Sequence, residues 1–247
     1  MGRVALLIDG GYFLKRLPTV RPDIDASDPE AVARSIDQLI RGHLDQLNEI
    51  YKVENIFQLL YRTFYYDAQP YGQKAHTPID KRPIDYSKTS QASFRKKLFN
   101  TLHSHPNLAI RLGEVRRERS HSWILKMEPQ KKLLNGDLSV GDLSDSDFVP
   151  ALRQKGVDMR IGLDIASITL KRQADVIILV SGDADFVPAA KLARREGMQF
   201  ILDPLWQNVP RDLFEHIDGL RSGFYKPQSK KVELTGRTRN KFRSDDK

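Results

Sequence analysis

The 247-residue sequence contains no cysteine. It therefore cannot form disulfide bonds, a zinc site built on thiolates or a thiol nucleophile. It also lacks an apolar run of about 18 residues, the length that a membrane-spanning helix requires, and an N-terminal leader in which charged residues precede an apolar stretch. These absences favour a soluble, cytoplasmic protein that does not enter membranes.

Acidic residues are fewer than basic ones: the chain has 40 Lys and Arg against 32 Asp and Glu, a formal net charge of +8. Such an excess favours a polyanionic partner, although it also serves solubility. The length suits one sizeable α/β domain with an insertion. The sequence is compatible with a homodimer, but it shows no pattern that marks a seam between subunits.

The most informative stretch is an apolar run at 176–180 that ends in Ser-Gly and is followed by Asp183 and Asp185. A helical pattern over 188–196 comes next. A strand that is apolar at every position is typical of a parallel sheet covered on both faces, and such sheets place ligands at their carboxyl edge. The two aspartates are candidates for such a site, but turn formation and helix capping explain them equally well.

Two distant segments place further aspartates at the ends of predicted elements. An apolar run at 4–8 ends in Asp9, which two glycines follow. In the segment 155–164, Asp158 opens a pattern that predicts a helix. If these segments meet, two carboxylates about 5 Å apart at an effective dielectric near 20 repel each other by about 3 kcal/mol. A divalent cation removes that repulsion, and carboxylate oxygens suit Mg²⁺ or Mn²⁺ better than zinc.

Three motifs, in this order, resemble the NYN domain of the PIN-like nucleases: IDGG at 8–11, KGVD at 155–158 and SGDADF at 181–186. The resemblance extends from residue 3 to about residue 220. It implies a three-layer α/β/α fold with a central, mostly parallel sheet, and a ribonuclease that depends on Mg²⁺ or Mn²⁺. By motif, the metal-binding and catalytic residues would be Asp9, Asp158, Asp183 and Asp185.

The resemblance further implies an endoribonuclease whose products carry 5′-phosphate and 3′-hydroxyl ends. Many NYN domains have an asparagine three residues after the first aspartate, where this chain has Tyr12. That departure keeps open a second hypothesis, an RNA-binding or regulatory module of the same fold with little or no catalysis. A phosphatase of the haloacid dehalogenase type is a third, but its second aspartate would fall at Gly11.

A segment from residue 67 to about 150 departs from simple alternation of strands and helices and is interpreted as an insertion over the sheet edge. Between residues 111 and 132 it is rich in Lys and Arg, with one tryptophan. Cationic side chains can neutralise phosphates, and a neighbouring aromatic ring can stack on an unpaired base, so this composition favours single-stranded RNA. The tryptophan also suits a core position. The candidate RNA-binding residues are Tyr12, Lys15, Arg116, Arg117, Arg119 and Trp123.

Local patterns predict the remaining elements. Ser27 with Glu30 suggests a capping box at the start of a long helix, and 55–66 reads as the second strand, ending at Asp67. We expect a helix over 90–102, a strand over 108–115 and a polar loop over 133–150. Residues 1–225 would form the domain, and the basic segment 226–247 a disordered tail that adds affinity for RNA.

Overall fold

The computed structural model describes residues 2–118 and 122–226. Most of the predicted tail, residues 227–247, lies outside that part of the chain. The strands are β1 (Val4–Asp9), β2 (Leu60–Gln69), β3 (Lys74–His76), β4 (Pro83–Asp85), β5 (Leu108–Arg117), β6 (Trp123–Leu125), β7 (Phe148–Pro150), β8 (Leu152–Lys155), β9 (Val176–Val180), β10 (Gln199–Asp203) and β11 (Gly219–Leu220).

The helices are α1 (Gly10–Val20), α2 (Pro29–Tyr51), α3 (Ser90–His103), α4 (Met127–Asn135), α5 (Val157–Leu170), α6 (Val187–Arg195) and α7 (Arg211–Phe214). Each helix within residues 2–118 and 122–226 is too short or too polar to cross a lipid bilayer.

The central sheet has the order β11-β10-β9-β1-β2-β5-β8. Neighbouring strands run parallel except β8, which pairs with β5 in the antiparallel direction. From β1 the chain first builds outward through β2 and β5, and later returns to the other side of β1 with β9. The boundary between β1 and β9 is therefore a topological switch point, where open α/β sheets form a crevice at their carboxyl edge.

The alternation of side chains along β1 explains why both faces of the sheet carry helices. Val4, Leu6 and Ile8 pack into one apolar core with α1, α2 and α3. Ala5 and Leu7 point to the opposite face and pack into a second core with α5 and α6. Because successive strand residues point to opposite faces, a strand that is apolar throughout needs cover on both. The predicted three-layer α/β/α fold is confirmed.

Several predicted elements are confirmed and others need correction. The helix over 90–102 and the strand over 108–115 are present with slightly longer bounds. The long helix is capped by Asp28 rather than Ser27, since the Asp28 carboxylate accepts the backbone N–H groups of Glu30 and Ala31. The second strand begins at Leu60, after a 3₁₀ turn over Ile56–Leu59 that the aromatic-rich sequence does not signal.

The segment predicted as an insertion does not form one unit. Its α3 and β5 belong to the layers of the main sheet, while β3–β4 and β6–β7 form two small antiparallel pairs. The stretch 133–150 was predicted to be a loop, but it contains the end of α4, two 3₁₀ turns and β7. Serine hydroxyls and backbone groups hydrogen-bonded to Asp142 and Asp147 build those turns.

Candidate active site

Two of the predicted aspartates lie at the switch point of the sheet. Asp9 ends β1, and Asp183 follows β9 by three residues. The register pairs Ile8 with Val180, so β1 and β9 end at the same level of the sheet. Asp158 lies in the first turn of α5, which packs against β1, β2 and β5 on one face. The topology thus brings three distant segments to one edge.

Asp9 is held by the backbone that follows it. Its Oδ1 accepts the N–H of Tyr12 at 3.0 Å and thereby caps α1. Only glycine fits the next position, because a Cβ on Gly10 would lie 2.5 Å from the Tyr65 ring and 2.6 Å from the Tyr66 carbonyl oxygen. Burial, together with the charges of Asp158 and Asp183, raises the pKa of Asp9 to about 6 against the hydrogen bond from Tyr12.

The other three aspartates are more open to solvent. Partial burial raises the pKa of Asp158, and the charges of Asp183 and Asp185 raise it further. Asp183 caps a 3₁₀ turn, since its Oδ1 accepts the N–H of Asp185 at 3.0 Å. Each of the four carboxylates therefore acts electrostatically on at least one other. We refer to Asp9, Asp158, Asp183 and Asp185 as the carboxylate cluster.

A cavity of about 280 Å³, which we call the acid pocket, opens at the cluster. Its lining residues are Asp9, Gly11, Tyr12, Gln154, Val157 and Asp158. Gln154 reaches in from β8: a Cβ added at Gly11 would lie 3.4 Å from Asp9 Oδ1 and 3.8 Å from Gln154 Oε1. Within residues 2–118 and 122–226, no three His, Cys, Asp or Glu side chains have the spacing of a preformed metal site.

Two further aspartates lie near the carboxyl ends of strands at this edge, and both have compensating partners. Asp67 on β2 is fully buried and forms an ion pair with Arg95 of α3. Asp203 at the end of β10 is also fully buried: its Oδ2 lies 2.8 Å from His43 Nε2, and its two oxygens accept the backbone N–H groups of Leu205 and Gly223. Asp67, at which the sequence predicts the second strand to end, therefore has a partner within the fold.

Tyr12 holds two loops of the site together. Its hydroxyl donates to the Pro204 carbonyl at 2.6 Å, and its ring lies against Gly182, where an added Cβ would come within 2.9 Å of the hydroxyl oxygen. Burial raises the pKa of Tyr12 to about 12, so the hydroxyl remains a donor at neutral pH. The side chain therefore positions the loops after β9 and β10, while its backbone N–H orients Asp9.

The remaining RNA-binding candidates separate into different places. Trp123 and Arg117 line a cleft of about 470 Å³, which we call the basic cleft, together with Lys74, His76, Lys81 and other residues of the β3–β4 hairpin. Trp123 is half-buried and does not belong to either apolar core. Arg116, on the opposite face of β5, pairs with Glu114, and Lys15 is exposed. Arg119 lies outside the described residues.

Sequence reasoning missed Gln154, Tyr71, Tyr86 and Arg95, which line cavities beside the cluster. Gln154 carried a weak signal, since it lies four residues before Asp158 in the segment that leads into α5. No motif surrounds the other three, which reach the site because α3 packs against β5 and the turn at residues 86–88 packs against α3.

Comparison with known proteins agrees with the resemblance. The model of the NYN domain, a member of the PIN-like superfamily, matches residues 143–215. This range contains Asp158, Asp183 and Asp185, whereas Asp9 lies before it. A solved structure of a protein of unknown function from Vibrio parahaemolyticus is 15% identical, with 90% of this chain and 95% of that chain covered and a TM-score of 0.42. The search of curated proteins gave no match.

Proposed function

We propose that this chain, with its NYN domain, is a metal-dependent endoribonuclease that hydrolyses phosphodiester bonds of single-stranded RNA. The observation that carries the proposal is the meeting of Asp9, Asp158 and Asp183 at the switch point. There the charges of Asp158 and Asp183 raise the pKa of Asp9, and the charge of Asp183 raises the pKa of Asp158. Within residues 2–118 and 122–226, no Lys, Arg or His forms an ion pair with any member of the cluster. Charge left uncompensated at a ligand-binding edge is typical of a functional site.

The donor set fits Mg²⁺ or Mn²⁺. The four carboxylates offer hard oxygen ligands, and their mutual repulsion is the kind that a divalent cation relieves. A bound ion would supply an activated water and stabilise the negative charge that develops on the departing oxygen. Because carboxylate ligands must be deprotonated, affinity should fall as the pH drops below the Asp9 pKa of about 6.

The protein's own contribution is orientation. Backbone N–H groups fix the carboxylates of Asp9 and Asp183, so these oxygens need little rearrangement during the reaction. Hydrolysis would join the water oxygen to phosphorus and break the bond to the 3′ oxygen, which takes up a proton. The products would then carry a 5′-phosphate and a 3′-hydroxyl.

The basic cleft supports RNA as the substrate. It combines the positive charges of Lys74, Lys81 and Arg117 with the aromatic ring of Trp123. Cationic side chains neutralise phosphates, and exposed aromatic rings stack on unpaired bases with little dependence on sequence. A surface of this kind favours single strands over duplexes.

Asp183→Asn tests the proposal. The variant keeps an oxygen that can accept the Asp185 N–H, so the turn should fold while the ligand charge is lost. We expect Mg²⁺- or Mn²⁺-dependent cleavage of single-stranded RNA to disappear. A matched control is Asp45→Asn, which removes an exposed carboxylate of α2. Cleavage by Asp183→Asn equal to that of wild type and the control would overturn the assignment.

A binding module without catalysis is the second candidate, and the placement of Tyr12 favours it. Where many NYN domains have an asparagine three residues after the first aspartate, this chain has Tyr12, whose hydroxyl donates to the Pro204 carbonyl. RNA binding that survives in Asp183→Asn, together with no cleavage by wild type in Mg²⁺ or Mn²⁺, would select this candidate over the nuclease.

A further inference from the structure

A second cavity adjoins the acid pocket and has no role in the function proposed above. It encloses about 220 Å³ between β2, α3 and the turn at Tyr86–Lys88, and we call it the tyrosine pocket. The side chains that give it chemical character are Tyr71, Tyr86, Gln91, Arg95 and Gln154.

The tyrosine pocket shares a wall with the acid pocket. Gln154 lines both cavities, so whatever fills the tyrosine pocket lies one side chain away from Asp9 and Asp158. On its other side the tyrosine pocket approaches the basic cleft, which Arg117 lines. Burial raises the pKa of the Tyr86 hydroxyl, and the nearby charge of Arg117 partly lowers it. The three cavities therefore follow one another, from the carboxylate cluster through the tyrosines to the cationic side chains.

The lining has the chemistry that proteins use for unpaired RNA bases. The rings of Tyr71 and Tyr86 lie 5.3 Å apart at 68°, edge to face, so one ring supports the other and leaves flat aromatic surface for stacking. Arg95 is oriented by its ion pair with the buried Asp67 and has further N–H donors. Gln91 and Gln154 add amide groups that can read the edge of a base.

The size and rigidity of the tyrosine pocket also favour a single base as its ligand. A cavity of about 220 Å³ is smaller than the roughly 300–1,000 Å³ pockets that hold drug-sized ligands, which suits one planar base better than a whole nucleotide. The Tyr86 backbone is fixed at both ends, because its N–H donates to the Gln73 carbonyl and its carbonyl accepts the Thr89 N–H. A preorganised ring loses little freedom when it binds.

We propose that the tyrosine pocket binds one unpaired base of the RNA, at the nucleotide next to the phosphate that the carboxylate cluster holds. The proposal rests on the nuclease function for its assignment of the neighbouring phosphate. The strand would then run from the basic cleft, past the tyrosines, to the acid pocket, with the backbone at Gln154 and the base turned inward. Base stacking here would set the position of cleavage along the strand.

Binding of a short single-stranded RNA in EDTA tests the proposal without requiring cleavage. Fluorescence anisotropy would compare wild type with Tyr86→Ala and Tyr86→Phe. Loss of base–aromatic stacking should weaken binding by roughly tenfold in Tyr86→Ala, while Tyr86→Phe retains the ring and should bind like wild type. Tyr225→Ala is the control, since Tyr225 is 97% exposed and lies outside the three cavities.

An abasic scan along the same RNA identifies the base that the pocket holds. One abasic position should weaken binding to wild type as much as Tyr86→Ala does, and the two changes together should cost no more than either alone. If Tyr86→Ala binds as tightly as wild type, or if its effect adds to that of every abasic position, the proposal is wrong. Should Tyr86→Ala fail to fold, Gln91→Glu at an exposed position puts a repelling charge at the pocket and should weaken binding similarly.

The outcomes separate this proposal from the nuclease assignment. Coupling between Tyr86 and one base, in a protein that does not cleave RNA, supports the base site and contradicts the nuclease. Cleavage that depends on Asp183, without coupling between Tyr86 and any base, supports the nuclease and contradicts the base site.

Discussion

Asp9 and Asp67 lie near the carboxyl ends of neighbouring parallel strands, and their positions differ by a single residue: Asp9 pairs with Tyr66, which precedes Asp67. Both side chains are shielded from bulk water, yet the charges that surround them have opposite signs. Asp67 faces the guanidinium of Arg95, whereas Asp9 faces the carboxylates of Asp158 and Asp183. Asp67 is compensated within the fold, whereas no Lys, Arg or His among the described residues forms an ion pair with Asp9.

This difference separates a carboxylate that is compensated within the fold from one that we propose to bind a metal. Burying a charge costs several kcal/mol, roughly, unless a partner compensates it. Asp203 follows the same rule as Asp67, since His43 and two backbone N–H groups surround it. Three aspartates thus lie near the carboxyl ends of three strands of one sheet, and the kind of neighbour separates the candidate ligand from the two that are paired within the fold.

The largest expected effect comes from removing the partner of Asp67. Arg95→Met keeps much of the side-chain volume but leaves a buried carboxylate without its cation, which should lower the free energy of unfolding by about 3–5 kcal/mol. Urea unfolding followed by circular dichroism measures the change. The double variant Asp67→Asn with Arg95→Met should recover part of the loss. A small effect of Arg95→Met alone would mean that Asp67 is not compensated as the structure indicates.

The second prediction concerns Asp9 in metal-free protein. Because burial and neighbouring carboxylates raise its pKa from 3.8 to about 6, folded protein holds a proton that unfolded chains release. This stabilisation is present below about pH 4 and is lost as the pH rises through 6, an effect of roughly 3 kcal/mol. Urea unfolding in EDTA between pH 4 and 7 should show a smaller decline for Asp9→Asn than for wild type.

Equal declines in the two proteins would contradict the raised pKa of Asp9. Asp45→Asn serves as the control here as well, because its exposed carboxylate should leave the difference between pH 4 and 7 unchanged.

The smallest expected effect separates the two roles of Tyr12 beside Asp9. Tyr12→Phe loses the hydrogen bond to the Pro204 carbonyl, which should cost about 1 kcal/mol of unfolding free energy, but it keeps the backbone N–H that Asp9 accepts. Stability should therefore fall by a similar amount at every pH between 4 and 7. A change in the pH dependence would show that the hydroxyl also influences the Asp9 carboxylate.

The sequence predicted the fold because the fold depends on local patterns, and the same patterns predict where the four cluster aspartates lie along their elements. An apolar run such as Val176–Val180 predicts a strand that is buried on both faces of a parallel sheet. An aspartate that follows such a strand lies at the carboxyl edge of the sheet. Parallel strands share that edge, so the convergence of Asp9 with Asp183 follows once the strands are assigned.

The remainder depends on contacts that no local pattern encodes. Arg95 reaches Asp67 from a helix 28 residues later in the chain, and Asp203 meets His43 across 160 residues. Likewise, Trp123 suited a core position as well as a nucleic-acid surface until the packing of the β3–β4 hairpin placed it in the basic cleft. The polar stretch 133–150 read as a loop because 3₁₀ turns built on serine and aspartate have no hydrophobic period.

The central claim is that the carboxylate cluster is a divalent cation site. Crystals of the full chain soaked in Mn²⁺, examined by anomalous difference maps at the manganese edge, test it most directly. The account predicts a peak coordinated by Asp9 together with carboxylates from Asp158, Asp183 or Asp185, and no such peak in Asp9→Asn. Manganese bound elsewhere, with the cluster empty at saturating Mn²⁺, would contradict it.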